Sequence, residues 1–311
     1  MRAFKILSPG IQTTIQDQGR HGLIKYGIPK SGAMDQRSFV IANLLLRNPD
    51  NAAALETTLP GLKLQALTKI TISITGADLD PWVNDQPAPQ WTAFTMREGD
   101  VLYFKKRKGG LRAYLAVQGG FDVPEVLGSR STYIRGRIGA PLGAGEALSS
   151  CPFDREATED VLTLPREYRP DFDRADPIRV LMGPQDDYFT PHGIETFLNS
   201  TYRISPQADR QGFRTEGPSI EIAKGPGIIT DPIPSGSIQV PGDGKPIVLL
   251  RDAQVTGGYA KIGIVARVEM DSLGQMLPGD TIRFQRIARQ KALDLLYEET
   301  QRLNRIRDLL K

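Results

Sequence analysis

The sequence predicts a mainly β protein, built as two β-barrel or sandwich lobes and closed by a C-terminal amphipathic helix. Three observations predict it. Short runs of alternating apolar and polar residues recur along most of the chain, and the 31 Gly and 23 Pro are dispersed between them, as in a turn-rich β protein. One pattern occurs twice, as Met96-Arg97-Glu98-Gly99-Asp100-Val101-Leu102-Tyr103-Phe104 and as Met276-Leu277-Pro278-Gly279-Asp280-Thr281-Ile282-Arg283-Phe284. Both copies place a Gly-Asp turn before a strand ending in Phe, through duplication or through independent use of the same hairpin chemistry. From Ile287 to Lys311, Ala292, Leu296, Leu303, Ile306 and Leu310 recur at helical spacing with charges between them.

These observations divide the chain into a first lobe over 1–150, a link or excursion over 151–176, a second lobe over 177–286 and a terminal helix over 287–311. Residues 4–7 open as a strand, and Ser8-Pro9-Gly10 turns them into another over 11–16. Residues 17–22 form a loop carrying both charge signs. Asp35 is placed to cap a helix ending near Arg47-Asn48-Pro49, since its carboxylate can accept a backbone N–H two or three residues ahead. A chemical role for Asp35 stays open beside the cap. The stretch 52–58 precedes Pro60-Gly61, and strands follow at 62–66 and 69–75, with a break at Gly76-Ala77-Asp78. Short strands at 82–84, 91–95 and 101–104 continue the series. Lys105-Lys106-Arg107-Lys108 is a solvated hairpin tip or an anion site. A strand at 112–117 and the stretch 142–148 end the lobe.

The segment 151–176 is rich in charge and Pro and poor in periodicity. Strand character resumes at 178–182, with a short helix inside 185–199 and strands at 211–215 and 219–223. Residues 237–240 and 246–250 flank the turn Pro241-Gly242-Asp243-Gly244. A second loop, Thr256-Gly257-Gly258-Tyr259, ends at Lys261.

Composition narrows the function. The formal net charge is +3, and no basic cluster resembles a nucleic-acid tract. One cysteine, Cys151, excludes an internal disulfide framework and fits a reducing compartment. The N-terminus lacks the apolar core of a signal peptide. No apolar run reaches the roughly 18 residues of a transmembrane helix, so a cytoplasmic location is expected. Two remote histidines, His21 and His192, are too few for a histidine-built metal site. The terminal helix carries six basic and four acidic residues. That mixture suits packing on its own barrel or on another subunit, not a membrane.

Several chemical signatures are missing. Gly242-Asp243-Gly244-Lys245-Pro246 lacks the spacing of a phosphate loop, and there is no Gly-x-Ser-x-Gly nucleophile elbow. No Ala-Met-Lys-Met marks a biotin attachment site. Ser8, Ser31 and Cys151 lack an adjacent base, which favours structural roles. The densest hydrogen-bonding chemistry lies between Gly236 and Lys261, where Gln239, Gln254, Thr256, Tyr259 and Lys261 surround paired glycines. Loops are where sites sit, although two ordinary turns would give the same sequence.

The chain resembles the allophanate-hydrolase subunit 2 family. The resemblance is carried in order by residues 9–20 (Pro-Gly-Ile-Gln-Thr-Thr-Ile-Gln-Asp-Gln-Gly-Arg), Tyr26-Gly27-Ile28-Pro29, Ser31-Gly32-Ala33-Met34-Asp35 and Ala42-Asn43. It continues through Leu55-Glu56-Thr57-Thr58, Thr75-Gly76-Ala77, Gly128-Ser129-Arg130-Ser131-Thr132-Tyr133, Asp209-Arg210 with Gly212, Glu216-Gly217-Pro218 and the 236–261 stretch. It covers nearly the whole chain up to Phe284. Its motifs are highly specific for family and less so for substrate.

The resemblance implies cyclophilin-like β-barrels. It implies the C subunit of an ATP-dependent 5-oxoprolinase, inactive alone and working with partner subunits A and B to open 5-oxoproline to glutamate. An alternative is a carboxyltransferase component acting on urea or a related amide, with biotin carried by another protein. A third is a regulatory module binding a kinase-inhibitor partner. In these settings Lys261 would steady a carboxylate or developing negative charge, and Asp35, Asp17 and Glu56 are candidate bases or magnesium ligands. Arg20 and Arg210 offer bidentate clamps. Glu56, Gln239, Thr256, Gly257, Gly258 and Tyr259 would complete a pocket for a small amide or lactam. For each charged residue a structural ion pair is the competing role.

Overall fold

The computed structural model describes residues 1–153, 161–172, 176–225 and 227–311. The predicted link over 151–176 therefore lies partly outside the described residues. The chain is mainly β, with three sheets and few helices. It divides into two compact units, one formed by Met1–Arg20, Ser31–Asp173 and Arg302–Lys311, the other by His21–Lys30 and Arg174–Gln301.

The first unit contains β1 (Arg2–Pro9), β2 (Gln12–Gln16), α1 (Gln36–Leu45), β3 (Ala54–Thr58), β4 (Leu62–Ala66), β5 (Ile70–Asp78), β6 (Pro81–Val83), β7 (Gln86–Pro87), β8 (Ala93–Met96), β9 (Val101–Phe104), β10 (Gly109–Val117) and β11 (Ala147–Ser149). One sheet runs β11-β1-β4-β9-β6-β7, the other β2-β3-β10-β5-β8. Alternation puts Ile70, Ile72 and Ile74 of β5 on one face, with Ala113, Leu115 and Val117 of β10. There they share one buried cluster with Phe4, Ile6, Leu64, Leu102 and Phe104 of the other sheet. Each large aliphatic or aromatic side chain so buried contributes about 1.5–3 kcal/mol.

The opposite face of the second sheet receives α1. Ala54, Tyr114 and Ala116 pack there against Phe39, Val40 and Ala42. Polar strand residues seat the helix as well: Ser73 Oγ donates to Ala42 O at 2.6 Å and Thr75 Oγ1 to Ser38 O at 2.7 Å. Asp35 caps α1 as predicted, its carboxylate accepting the Ser38 N–H at 2.9 Å. The predicted break at Gly76-Ala77-Asp78 is instead strand. β5 crosses an irregularity in its pairing with β10, where Gly76 faces Ala113. Gly76 has φ +79, and a Cβ there would lie 2.5 Å from Arg112 O. The glycine lets β5 bend without ending.

The second unit contains β12 (Ile178–Met182), α2 (Pro191–Asn199), β13 (Thr201–Ala208), β14 (Gly212–Glu216), β15 (Gly227–Pro232), β16 (Ser237–Val240), β17 (Ile247–Leu249), β18 (Thr256–Val265), α3 (Met270–Leu273) and β19 (Thr281–Arg286). Pairing runs β12-β19-β13-β14-β17-β16-β18 and returns to β12, through Val180 opposite Val265. Seven strands thus close on themselves, and only β12 with β19 is parallel. Closure removes the exposed edges that an open sheet would leave. Val180, Tyr202, Phe213, Ile238, Val248, Ile262 and Phe284 are buried, and Phe197 of α2 stacks on Phe284 at 4.6 Å between ring centroids. β15 lies outside this ring, paired with the first half of β18.

Two expectations are corrected here. Residues 219–223 form no strand; Ile222 makes one isolated bridge with Phe189. Thr256-Gly257-Gly258-Tyr259 is not a loop but the start of β18, held by β15. Gly257 serves close packing: a Cβ there would lie 2.5 Å from Ile233 Cδ1 and 3.0 Å from Gln239 Nε2. The strand β13 has no counterpart among the predicted elements.

The sequence repeat is a repeat of structure. In the first unit Gly99 N–H donates to Ala66 O at 2.9 Å, Ala66 N–H to Asp100 O at 2.8 Å, and the Asp100 carboxylate accepts the Arg97 N–H at 2.8 Å. In the second, Gly279 N–H donates to Ile204 O at 2.9 Å, Ile204 N–H to Asp280 O at 2.8 Å, and the Asp280 carboxylate accepts the Leu277 N–H at 3.0 Å. The following strands pair in the same register, Gln65 with Val101 and Arg203 with Thr281. Gly99 and Gly279 have φ of +88 and +98, which only glycine takes readily.

The terminal helix α4 spans Arg289–Leu309. Leu303, Ile306 and Leu310 pack with Ile41, Leu45, Trp91 and Leu164 of the first unit, and Arg307 pairs with Asp50. Among the described residues no helix is long and apolar enough to cross a membrane.

Candidate functional site

In the first unit the turn after β2 is built around Asp17, which is 2% exposed. Its carboxylate accepts from Gly19 N–H at 2.7 Å, Ser129 Oγ at 2.7 Å, Arg130 N–H at 2.7 Å and Ser131 Oγ. The Asp17 N–H in turn donates to Ser131 Oγ at 2.9 Å. Arg20 grips the same segment, donating to Val126 O at 3.2 Å and to Ser131 O. Asp17 and Arg20 thus meet over the 126–131 segment and hold it. The Asp17 carboxylate accepts four hydrogen bonds within its own unit.

Asp35 and Glu56 meet through Tyr114. The phenol donates to Glu56 Oε2 at 2.7 Å and accepts the Asp35 N–H at 2.8 Å. Glu56 also accepts the Met34 N–H at 2.8 Å, and Arg112 Nε stands 3.7 Å from its other oxygen. Burial, reinforced by the Glu56 and Asp35 charges, pushes the Tyr114 phenol well above its usual range, so it remains a donor. Ala33 N–H donates to Asp17 O at 2.9 Å. The 17–20 and 31–35 segments therefore touch, and a Cβ at Gly32 would lie 2.8 Å from Gly19 N.

In the second unit Lys261 is 1% exposed. Its Nζ donates to Asp231 Oδ2 at 2.6 Å, and its backbone N–H donates to Gln185 Oε1 at 3.2 Å. The hydrogen bond from Lys261, opposed by desolvation, holds the Asp231 carboxyl below the usual carboxylate range. Gln239 faces Lys261 in the β16–β18 register, which puts both side chains on one face of the sheet. Gln239 Nε2 donates to Tyr259 O at 3.3 Å. Tyr259 is 45% exposed and Thr256 is exposed. Arg210 makes a fork on Asp252, at 2.9 and 3.1 Å, and Asp252 N–H donates back to Arg210 O at 2.9 Å.

The structure adds Tyr114, Arg112, Ser129, Ser131, Asp231 and Gln185 to these groups. Arg112 and Tyr114 alternate on one strand, a signal that they share a face. Ser129 and Ser131 lie inside a motif already marked by the resemblance. Asp231 sits on β15, whose sequence carries no alternation. The arrangements supply buried charge, fixed N–H donors and amides, suited to orienting a small polar molecule. Among the described residues no three His, Cys, Asp or Glu side chains gather as a metal ion would need.

Comparison with known proteins identifies the family. A family described as carboxyltransferase domain, subdomain A and B, matches residues 26–286. The C subunit of 5-oxoprolinase from Haemophilus influenzae is 33% identical over 309 residues, 98% of each chain. That of Escherichia coli is 36% identical over 297 residues, 93% of each. The solved urea amidolyase of K. lactis matches at 32% identity with a TM-score of 0.90, over 98% of this chain and 20% of that one. The chain belongs to the carboxyltransferase subdomain A and B family, homologous along nearly its full length to the C subunit of 5-oxoprolinase and related to part of urea amidolyase.

Proposed function

We propose that the chain is the C subunit of a 5-oxoprolinase-type enzyme, which opens a lactam to glutamate together with partner subunits A and B. The observation that carries this reading is the match to the Haemophilus influenzae C subunit, which runs through 98% of both chains. A lactam is a resonance-stabilised amide, so ATP supplies the driving force by making a better leaving group. The Gly242–Lys245 turn does not fit ATP phosphates. A Cβ at Gly244 would lie 2.0 Å from Ser219 Oγ, and the Gly244 N–H already donates to Pro241 O at 2.9 Å. On this reading ATP acts in the complex with the partner subunits.

On this reading Lys261, aimed by Asp231 and Gln185, provides the cation that meets a substrate carboxylate or the charge developing on an amide oxygen. Asp17, Arg20 and Arg210 position loops, and Asp35 with Glu56 fixes the entrance of α1. Copurification with the neighbouring A and B subunits, followed by ATP-dependent glutamate release from 5-oxoproline, tests the reading. No release from an assembled complex rejects it.

A second reading is favoured by one observation, the TM-score of 0.90 to urea amidolyase. A carboxyltransferase acting on urea or a related amide would use the same small-amide chemistry, with carboxybiotin delivered by another protein. Carboxylation of urea by the complex in the presence of a biotinylated carrier, without glutamate release from 5-oxoproline, selects this reading.

A further inference from the structure

Ser31 opens the 31–35 segment of the first unit. Three backbone N–H groups of that segment are committed inward, Ala33 to Asp17 O, Met34 to Glu56 and Asp35 to Tyr114. The Ser31 side chain differs. It is 0% exposed, and its Oγ has no hydrogen-bond partner among the described residues. Its backbone has φ +55, a left-handed conformation that serine adopts at a cost. Glycine would relieve the strain and remove the orphaned hydroxyl together, so the fold alone gives no reason for serine at this position.

A second buried orphan borders the same turn. Gln16 is 0% exposed, and its Nε2 donates to Thr14 Oγ1 and Thr132 O. Its Oε1 has no partner among the described residues. Gln16 leads directly into Asp17, and Gly32, next to Ser31, packs on the Asp17–Gly19 backbone. Buried polar atoms are rarely left unpaired. Ser31 and Gln16 each leave a buried hydrogen-bonding atom of the first unit without a partner among the described residues.

We propose that Ser31 Oγ is a substrate-contacting group that hydrogen-bonds the amide or carboxylate of a small amide or lactam. This rests on the 5-oxoprolinase-type reading. An amide offers a carbonyl that accepts from a hydroxyl. The contact needs neither a charge nor a covalent step.

The test compares Ser31→Gly with wild type in the complex with its A and B partners. The thermal midpoint of the purified chain is measured alongside. The expected result is a midpoint at or above wild type, a KM for 5-oxoproline raised about 10-fold and a kcat changed much less. A raised midpoint with unchanged KM overturns the proposal, because the hydroxyl then meets only a buried water. If Ser31→Gly fails to assemble, Ser31→Ala is compared in the same way. If wild type uses urea and not 5-oxoproline, the functional reading falls, and Ser31 is judged by the same KM comparison on urea. If wild type neither binds nor turns over either compound, both proposals are overturned.

Discussion

Lys261 and Asp231 form an ion pair of unequal burial: Nζ stands 2.6 Å from Oδ2, with the lysine side chain 2% exposed and the aspartate 41%. The two ends respond differently to removal. Lys261→Met leaves a carboxylate that water reaches, whereas Asp231→Asn strands an ammonium away from water. Breaking a fully buried pair costs about 3–5 kcal/mol. The half-open carboxylate makes the expected loss for Asp231→Asn smaller than that of a fully buried pair, and larger than that of Lys261→Met. Lys261→Met, which keeps the apolar stem, should lose less than about 1 kcal/mol. Urea unfolding midpoints check the order, and equal midpoints would show that solvent reaches both ends.

The same lysine carries the catalytic proposal. Lys261→Met should leave subunit assembly intact by size exclusion and lower turnover of the complex by about 10²–10³. Near-wild-type turnover in an intact complex would make the pair a scaffold element of β18.

Asp17 gives a prediction about loop order. Asp17→Asn replaces one acceptor oxygen by an NH₂ group facing N–H and O–H donors, and should cost about 1–3 kcal/mol. Hydrogen exchange across residues 126–132 should quicken, since Asp17 holds Ser129, Arg130 and Ser131. Unchanged exchange there would mean that Arg20 alone fixes the segment.

Gly183 tests how the barrel closes. A Cβ at this residue would lie 2.1 Å from Lys261 O and 2.9 Å from Gly263 N. These are backbone atoms of β18 and cannot swing aside. Gly183→Ala should therefore destabilise the protein by about 1–3 kcal/mol or more, and shift the thermal midpoint accordingly. An unchanged midpoint would mean that β12 and β18 separate without loss.

Stability should also fall at both pH extremes, for opposite reasons. Burial pushes Tyr202 up to about 12 from 10.0. The unfolded chain then releases this proton first, so stability is whole below the ordinary tyrosine value and is lost as pH rises toward the folded one. Tyr202→Phe should remove a slope of at most about 1.4 kcal/mol per pH unit in that window. It should cost little below it, because the phenol bond to Thr196 O is long at 3.4 Å. Asp231 is depressed below 3.8 by Lys261. Its contribution is present above that value and is lost as pH falls through the folded pKa, so Asp231→Asn should flatten the acid limb. Denaturant melts across both limbs check the signs, and parallel curves for variant and wild type would refute them.

The elements legible in the sequence are those set by local physics. Alternation in Ile70, Ile72 and Ile74 marks β5 because side chains of a strand point to alternate faces. The Gly-Asp turns are legible because glycine supplies positive φ and the aspartate accepts an N–H three residues back. Asp35 caps α1, and the apolar spacing of α4 marks the terminal helix, for equally local reasons. The candidate site was legible only as a list of residue types. Arg20 and Arg210 look like ligand clamps in the sequence, yet Arg210 holds Asp252, and Arg20 holds backbone carbonyls more than a hundred residues ahead.

Tertiary structure decided the rest. Thr256-Gly257-Gly258-Tyr259 reads as a loop because glycine pairs usually mark turns, and it becomes strand because β15 pairs with it. Glu56 and Tyr114 are 58 residues apart, and Asp17 and Ser131 are 114 apart. Local propensity acts over a few residues, whereas the partner of a buried charge is chosen by which strands lie side by side. The sequence therefore determined which chemical groups this protein owns, and the strand pairing decided which of them meet, because an unpaired charge or amide inside a β core costs more free energy than a local preference can supply.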